Sequence, residues 1–279
     1  MKFWIASLRE KARAGVDELC AALYPPLCWL CRSRPTVDGL GCAEHALAPC
    51  RFDPAEPRCA GCAERLPEGI RGGICARCRR EPRGYRQLVA GGPYRERAAL
   101  REWILAFKHG GRRELARPLA VYLGQAWQAL GGPPPGALLT SVPLHPLRGL
   151  ERGYDQARLL AEELAEHLGL AHASLLRRVR WTPPQGAPGA SSRAANVTGA
   201  FELVPRRAAR VAGRSLWLVD DVVTSGATAR ACAEVLRRAR ASEVSVLALA
   251  RVELDEAHEP GAPSDRTGWV LRGDPDWTD

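Results

Sequence analysis

Leu216-Trp217-Leu218-Val219-Asp220-Asp221-Val222-Val223-Thr224-Ser225-Gly226-Ala227-Thr228 is the segment of this chain that most constrains its fold. An apolar run delivers two adjacent carboxylates, then a short loop of hydroxyl-bearing and small residues, then a helical stretch. The order calls for a buried strand whose carboxyl end meets a helix N-terminus. It also suits a sugar phosphate. Asp220 and Asp221 can accept hydrogen bonds from vicinal ribose hydroxyls. The backbone N–H groups of Val222 to Thr228, with the hydroxyls of Thr224, Ser225 and Thr228, can face a phosphate at the positive end of the helix. Gly226 lets the backbone approach closely because no Cβ intervenes. The plainer reading is a buried strand that ends in a polar turn before an ordinary helix. A nucleotide P-loop is disfavoured, since that loop needs a lysine and none stands here.

The chain has 279 residues, 46% hydrophobic and 25% charged. That is enough for one large or two ordinary domains of about 100–200 residues each. The net charge of +9 is unevenly spread, and 251–279 carries eight acidic against three basic residues. A basic body attracts polyanions such as nucleic acid or a pyrophosphate. A GC-rich coding sequence would enrich arginine in the same way, so charge alone selects no function. No segment approaches the ~20 apolar residues of a membrane span. Charges at Arg9, Glu10, Lys11 and Arg13 interrupt the apolar start too early for a signal-peptide core. Residues 1–24 read as an amphipathic helix stopped by Pro25-Pro26, and the expected location is cytoplasmic.

Nine of the ten cysteines lie before residue 80. Cys59-x2-Cys62 and Cys75-x2-Cys78 form two knuckles whose four thiolates suit a tetrahedral zinc. Cys28, Cys31, Cys42 and His45 make a second set, with Cys50 a competing fourth ligand. Disulfides are the rival reading, disfavoured by the absence of a secretory signal. A module with so few apolar residues draws folding energy from its metal, and a fully ligated zinc leaves no open position for water. Such zinc is structural. Cys232 falls within a helical stretch and reads as a core residue.

Beyond residue 90 apolar runs alternate with amphipathic ones. Helices are expected over Ala98 to Leu105, Arg113 to Leu130 (Pro118 an early-turn residue or a kink), Gln156 to Leu168 and Ala227 to Ala239. Strands are expected over Ala137 to Val142, Leu216 to Val219 and Val244 to Ala250. This pattern implies an α/β fold with a parallel sheet and flanking helices, whose ligands sit at the carboxyl ends of the strands. Pro82 to Gly92 reads as the seam between the cysteine-rich module and this domain.

Two further stretches fit the same site. Val142-Pro143-Leu144-His145-Pro146-Leu147-Arg148 follows a strand, and Glu151-Arg152-Gly153-Tyr154-Asp155-Gln156 follows it. Arg148 and Arg152 can fork the oxygens of a pyrophosphate, or serve as solvated surface. His145 has a binding and a structural reading. Then come Thr182-Pro183-Pro184-Gln185 and Ser191-Ser192-Arg193-Ala194-Ala195-Asn196-Val197, with Pro183 to Ser192 reading as a mobile loop able to exclude water.

The Asp220–Thr228 string resembles the 5-phosphoribosyl 1-pyrophosphate (PRPP) motif of type I phosphoribosyltransferases. In that family the paired acids hold the ribose and the loop binds the 5′-phosphate. The cysteine knuckles, Phe107-Lys108-His109-Gly110-Gly111, Val142-Pro143, Glu151-Arg152-Gly153-Tyr154, Gln185, Arg193, Asn196-Val197, Phe201 and the acidic motif together resemble the ComF (competence protein F) family. The resemblance runs from about residue 20 to 252. Asp155 stands where asparagine is common in that family, Ser225 where threonine is, and His45 where cysteine often is.

The resemblance implies a double-zinc-ribbon-like module over 25–82 and a type I phosphoribosyltransferase-like domain over 90–252. The 1–24 helix precedes them, and the acidic tail over 253–279, which has no counterpart in the family, reads as weakly ordered. The resemblance also implies PRPP binding with Mg²⁺, Asp220 and Asp221 as the catalytic pair and His145, Arg148 and Arg152 near the pyrophosphate. Gln185 and Arg193 fall in the mobile loop. It further implies service to DNA uptake in natural transformation, with single-stranded DNA and a competence helicase as partners. Three classes of function stay open: a phosphoribosyltransferase of unread acceptor, a PRPP-sensing regulator, and a DNA or helicase adaptor. For the last, Arg177, Arg178, Arg180, Arg206, Arg207 and Arg210 offer phosphate contacts.

Overall fold

The computed structural model describes residues 25–53, 55–67, 73–81, 83–145, 149, 153–180, 197 and 199–253. The 1–24 helix, the tail beyond 253 and the Pro183 to Ser192 loop of the sequence reading lie outside them. Cysteine-rich turns lead through a short helix, α1 (Ala76–Arg80), into the first strand, β1 (Leu88–Pro93). Helices α2 (Ala99–His109) and α3 (Ala116–Ala129) follow, then β2 (Leu138–Ser141), α4 (Gln156–Leu168) and β3 (Ala171–His172). A two-stranded antiparallel ribbon, β4 (Leu176–Arg178) with β5 (Phe201–Leu203), precedes the last unit. That unit is β6 (Ser215–Val223), α5 (Ala227–Arg238) and β7 (Glu243–Arg251).

Five strands form one sheet in the order β1-β7-β6-β2-β3, and every pairing in it is parallel. This is the α/β class that the alternation of apolar runs predicts. Successive side chains of a strand point to opposite faces, and β6 and β7 are apolar on both. Trp217, Val219, Leu247 and Leu249 join one core with α2, α3 and α4, while Leu216, Leu218, Val246 and Ala248 join another with α5. Trp217 packs on Trp127 with ring centroids 4.5 Å apart. Cys232 is fully buried on α5 in the second core.

The strand β1 departs from the sequence reading, which treats Pro82 to Gly92 as a seam. Gly91, Gly92 and Pro93 look like punctuation, yet packing explains the glycines. A Cβ on Gly91 would lie 2.5 Å from the Tyr122 ring, and one on Gly92 only 1.9 Å from the Cys50 carbonyl oxygen. Pro93 ends an edge strand, where a missing N–H costs little. Pro118 sits in the first turn of α3, where its missing N–H is no loss. The Gln156–Leu168 helix has the bounds its pattern predicts. Asp155 caps it by accepting from the Arg158 N–H, and Gly169 closes it at φ 65°.

Candidate functional site

The helix after β2 packs on one face of the sheet and the helix after β6 on the other. These two strands are neighbours, so the chain leaves the sheet in opposite directions between them. A crevice opens at the carboxyl ends of such a pair, where open α/β sheets bind ligands.

β2 ends at Ser141, paired with Val219, and the Val142 N–H donates to the Val219 carbonyl. β6 continues past that point on the support of β7 alone, with Asp220 opposite Ala248 and Val223 opposite Arg251. Asp220 and Asp221 therefore lie inside β6, not after it as the sequence reading has them. Aspartates disfavour strands, so propensity ends the strand too early; pairing with β7 overrides it. The backbone on the β2 side is left to the acids themselves. The Asp221 N–H donates to Asp220 Oδ1 at 2.9 Å, and the Val222 N–H to Asp221 Oδ1 at 2.6 Å.

Burial pushes the Asp220 carboxyl up to about 8, and the adjacent Asp221 charge adds to the shift. Lys108 opposes it, and Asp155 reinforces it. Lys108, at the end of α2, stands 3.0 Å from Asp221 Oδ1 with both side chains largely buried. Sequence reasoning leaves this lysine without a role, since it lies far from the acids along the chain. Its backbone is pinned from the other side of the crevice. The Tyr154 hydroxyl donates to the Phe107 carbonyl and Gln156 Nε2 to the Lys108 carbonyl. Asp155 Oδ2 accepts from the Leu144 N–H at 3.1 Å, which holds the loop that carries His145. His145 thus sits on the loop leaving β2, at the same end of the sheet as the acids. Arg148, Arg152, Gln185 and Arg193 lie outside the described residues.

After β6, Thr224, Ser225 and Gly226 turn into α5. Gly226 is the N-cap at φ 76°, a conformation that costs other residues dearly. Ser225 Oγ accepts from the Ala227 N–H at 3.4 Å. The N–H groups of Ser225 and Gly226 have no acceptor among the described residues. Of the other residues of that string, Val222 and Val223 end β6 and Ala227 and Thr228 open α5, so the turn itself is only Thr224, Ser225 and Gly226.

The cysteines gather into two groups that could hold a metal such as zinc: Cys28, Cys31, Cys42 and His45, and Cys59, Cys62, Cys75 and Cys78. A tetrahedral zinc with Zn–S of ~2.3 Å sets its sulfurs about 3.8 Å apart. Cys62 Sγ lies 3.7 Å from Cys75 Sγ, and Cys31 Sγ 4.0 Å from Cys42 Sγ. Burial pushes the Cys62 and Cys78 thiols up, so thiolates there need a compensating cation. The first group selects His45 over Cys50, with Nδ1 3.2 Å from Cys42 Sγ. His45 Nε2 faces Glu102 at 3.5 Å, where an outer carboxylate would orient the imidazole were it to ligate a metal.

Among the described residues, no helix is long and apolar enough to cross a membrane. Several arginines read as phosphate contacts are engaged within the protein. Arg177 pairs with Glu202 at 2.6 Å, and Arg207 donates to the Ser174 carbonyl at 2.9 Å.

No protein-family model matches the chain. It is 36% identical over 234 residues to DNA utilization protein YhgH of Salmonella typhi, covering 81% of this chain and 97% of that one. It is 30% identical over 200 residues to competence protein F of Haemophilus influenzae, covering 70% and 85%. Among solved structures it resembles the allosteric regulatory enzyme of purine biosynthesis, with 21% identity and a TM-score of 0.35 over 52% of this chain and 30% of that one.

Proposed function

The chain belongs to the family of DNA utilization protein YhgH and competence protein F, and we propose that it binds PRPP with Mg²⁺ in the β2–β6 crevice while serving the handling of single-stranded DNA. The observation that carries this reading is the run from Asp220 to Ala227. Two carboxylates sit where β6 outruns β2, and unclaimed N–H donors follow at the start of a helix.

In this reading Asp220 and Asp221 accept from the ribose hydroxyls, and the N–H groups of Ser225 and Gly226 take the 5′-phosphate together with the Thr224 and Thr228 hydroxyls. A magnesium ion would offset the pyrophosphate charge. Burial and mutual repulsion make a charged acid pair costly without a cation. Lys108 meets that need in part, and a metal-bound pyrophosphate would meet the rest. Should transfer occur, positive charge developing at the anomeric carbon would face these acids. The two cysteine groups carry zinc as structural supports.

The DNA role rests on the family and on the basic balance of the chain. Parallel titrations of PRPP and of single-stranded oligonucleotide test both parts, on the wild type and on the Asp220→Asn/Asp221→Asn variant. The double variant is expected to lose PRPP and keep DNA, with DNA affinity falling steeply as salt rises. PRPP affinity unchanged by the double substitution would refute the assignment of the crevice. Absence of DNA binding at low salt would remove the direct DNA role.

A further inference from the structure

Two buried arginines join the Cys59–Cys78 group to the loop that follows the acids. Arg83, 4% exposed, donates from Nε to Cys78 Sγ at 3.3 Å and from Nη1 to the Ser225 carbonyl at 2.6 Å. Arg251, 1% exposed, donates from Nε to the Cys62 carbonyl at 2.9 Å and from Nη2 to Glu64 at 3.0 Å. Its Nη1 reaches the carbonyls of Val223 and Thr224. Three successive carbonyls are thus drawn toward the cysteine module by two guanidinium groups.

The consequence follows from peptide geometry. In a trans peptide the carbonyl and the next residue's N–H point in opposite directions, and no cis peptide occurs here. Turning the Thr224 and Ser225 carbonyls toward the module turns the Ser225 and Gly226 N–H groups away from it. These are the donors that the phosphate reading uses. Gly226 fits the same arrangement tightly, since a Cβ there would lie 3.1 Å from Arg83 Nη1 and 3.2 Å from the Tyr85 hydroxyl. The anchors of both arginines, Cys78 and Cys62, belong to the metal-binding group itself. A metal joining the four sulfurs would hold that group's geometry in place.

We propose that metal binding at Cys59, Cys62, Cys75 and Cys78 and phosphate binding at the 224–228 loop are positively coupled through Arg83 and Arg251. The coupling rests on the reading of that loop as a phosphate site. The two arginines are positioning residues: they orient the donors and do not touch the ligand. Coupling between binding sites is reciprocal, so each ligand raises the other's affinity by the same factor.

Ribose 5-phosphate is the probe. Its affinity for the zinc-loaded full chain is measured by calorimetry. Zinc is then withdrawn by a chromophoric chelator with and without saturating ribose 5-phosphate. The expected result is about tenfold tighter zinc retention at one site per chain when the sugar phosphate is present. Arg83→Met is expected to hold its zinc less tightly, since Cys78 Sγ loses its donor, to bind ribose 5-phosphate about tenfold more weakly when zinc-loaded, and to show no protection of zinc by the sugar phosphate. Arg83→Lys keeps the charge but cannot span both partners, and should fall between the two. If ribose 5-phosphate binds and zinc retention is unchanged, the coupling is refuted and the phosphate site stands. If it fails to bind the zinc-loaded wild type, the phosphate site falls and the coupling with it. The wild-type comparison decides the matter even where a variant folds poorly.

Discussion

The ammonium group of Lys108 lies 3.0 Å from Oδ1 of Asp221, joining the end of α2 to the acid pair of β6. Both side chains are largely withdrawn from solvent, so the contact is worth more than a surface pair. Hydrogen bonds to charged partners contribute about 1.5–3 kcal/mol. Lys108→Met is expected to destabilise the fold by about that amount at pH 7. Urea unfolding of the two proteins checks it. A loss confined to the surface-pair range would show that the acids manage without this cation.

The raised pKa of Asp220 makes stability depend on pH with a definite sign. Burial and Asp221 lift the carboxyl from 3.8 to about 8, so the folded state holds a proton that the unfolded state has released. Stability from this group falls as pH rises between those values, and the penalty is complete above the upper one. Asp220→Asn should flatten that slope and exceed the wild type in stability at alkaline pH. Unfolding midpoints at pH 5, 7 and 9 test it, and a wild-type slope that survives the substitution would contradict it.

Glu102 faces Nε2 of His45 from the first turn of α2. Loss of such an outer partner typically weakens metal binding 10- to 100-fold, with ~10-fold the expected scale here. Glu102→Gln should therefore release zinc more readily from one site per chain and leave the other unchanged. Chelator competition measures both, and equal release from the two sites would point to general destabilisation.

Gly226→Ala should cost about 1–2 kcal/mol through the left-handed backbone alone. The added methyl also presses on Arg83 and Tyr85, which have little room to retreat. Weaker ribose 5-phosphate binding should accompany the loss. Unfolding and calorimetry on one preparation separate the two effects.

The acids, the loop and both cysteine groups were legible because their chemistry lies within short stretches of chain. Asp220 through Thr228 carry a strand end, a turn and a helix start in one string. Each cysteine knuckle declares itself by its spacing. What stayed hidden is built from contacts between distant residues. Lys108 stands in the string Phe107 to Gly111, beyond the helix expected to end at Leu105, and nothing in that string points to the acids of β6. Arg83 and Arg251 look like two among many arginines, and only the fold brings them behind the 224–226 turn. The strand β1 was obscured by Gly91-Gly92-Pro93, whose small size serves Tyr122 and Cys50. The extension of β6 through two aspartates was obscured because pairing with β7, not propensity, decides it.

The most direct test of the account is calorimetric titration of the zinc-loaded chain with PRPP, with and without Mg²⁺, beside the Asp220→Asn/Asp221→Asn variant. Saturable binding to the wild type that needs Mg²⁺ and is lost in the double variant is expected. Absence of heat in the wild type, together with no competition from ribose 5-phosphate, would contradict it.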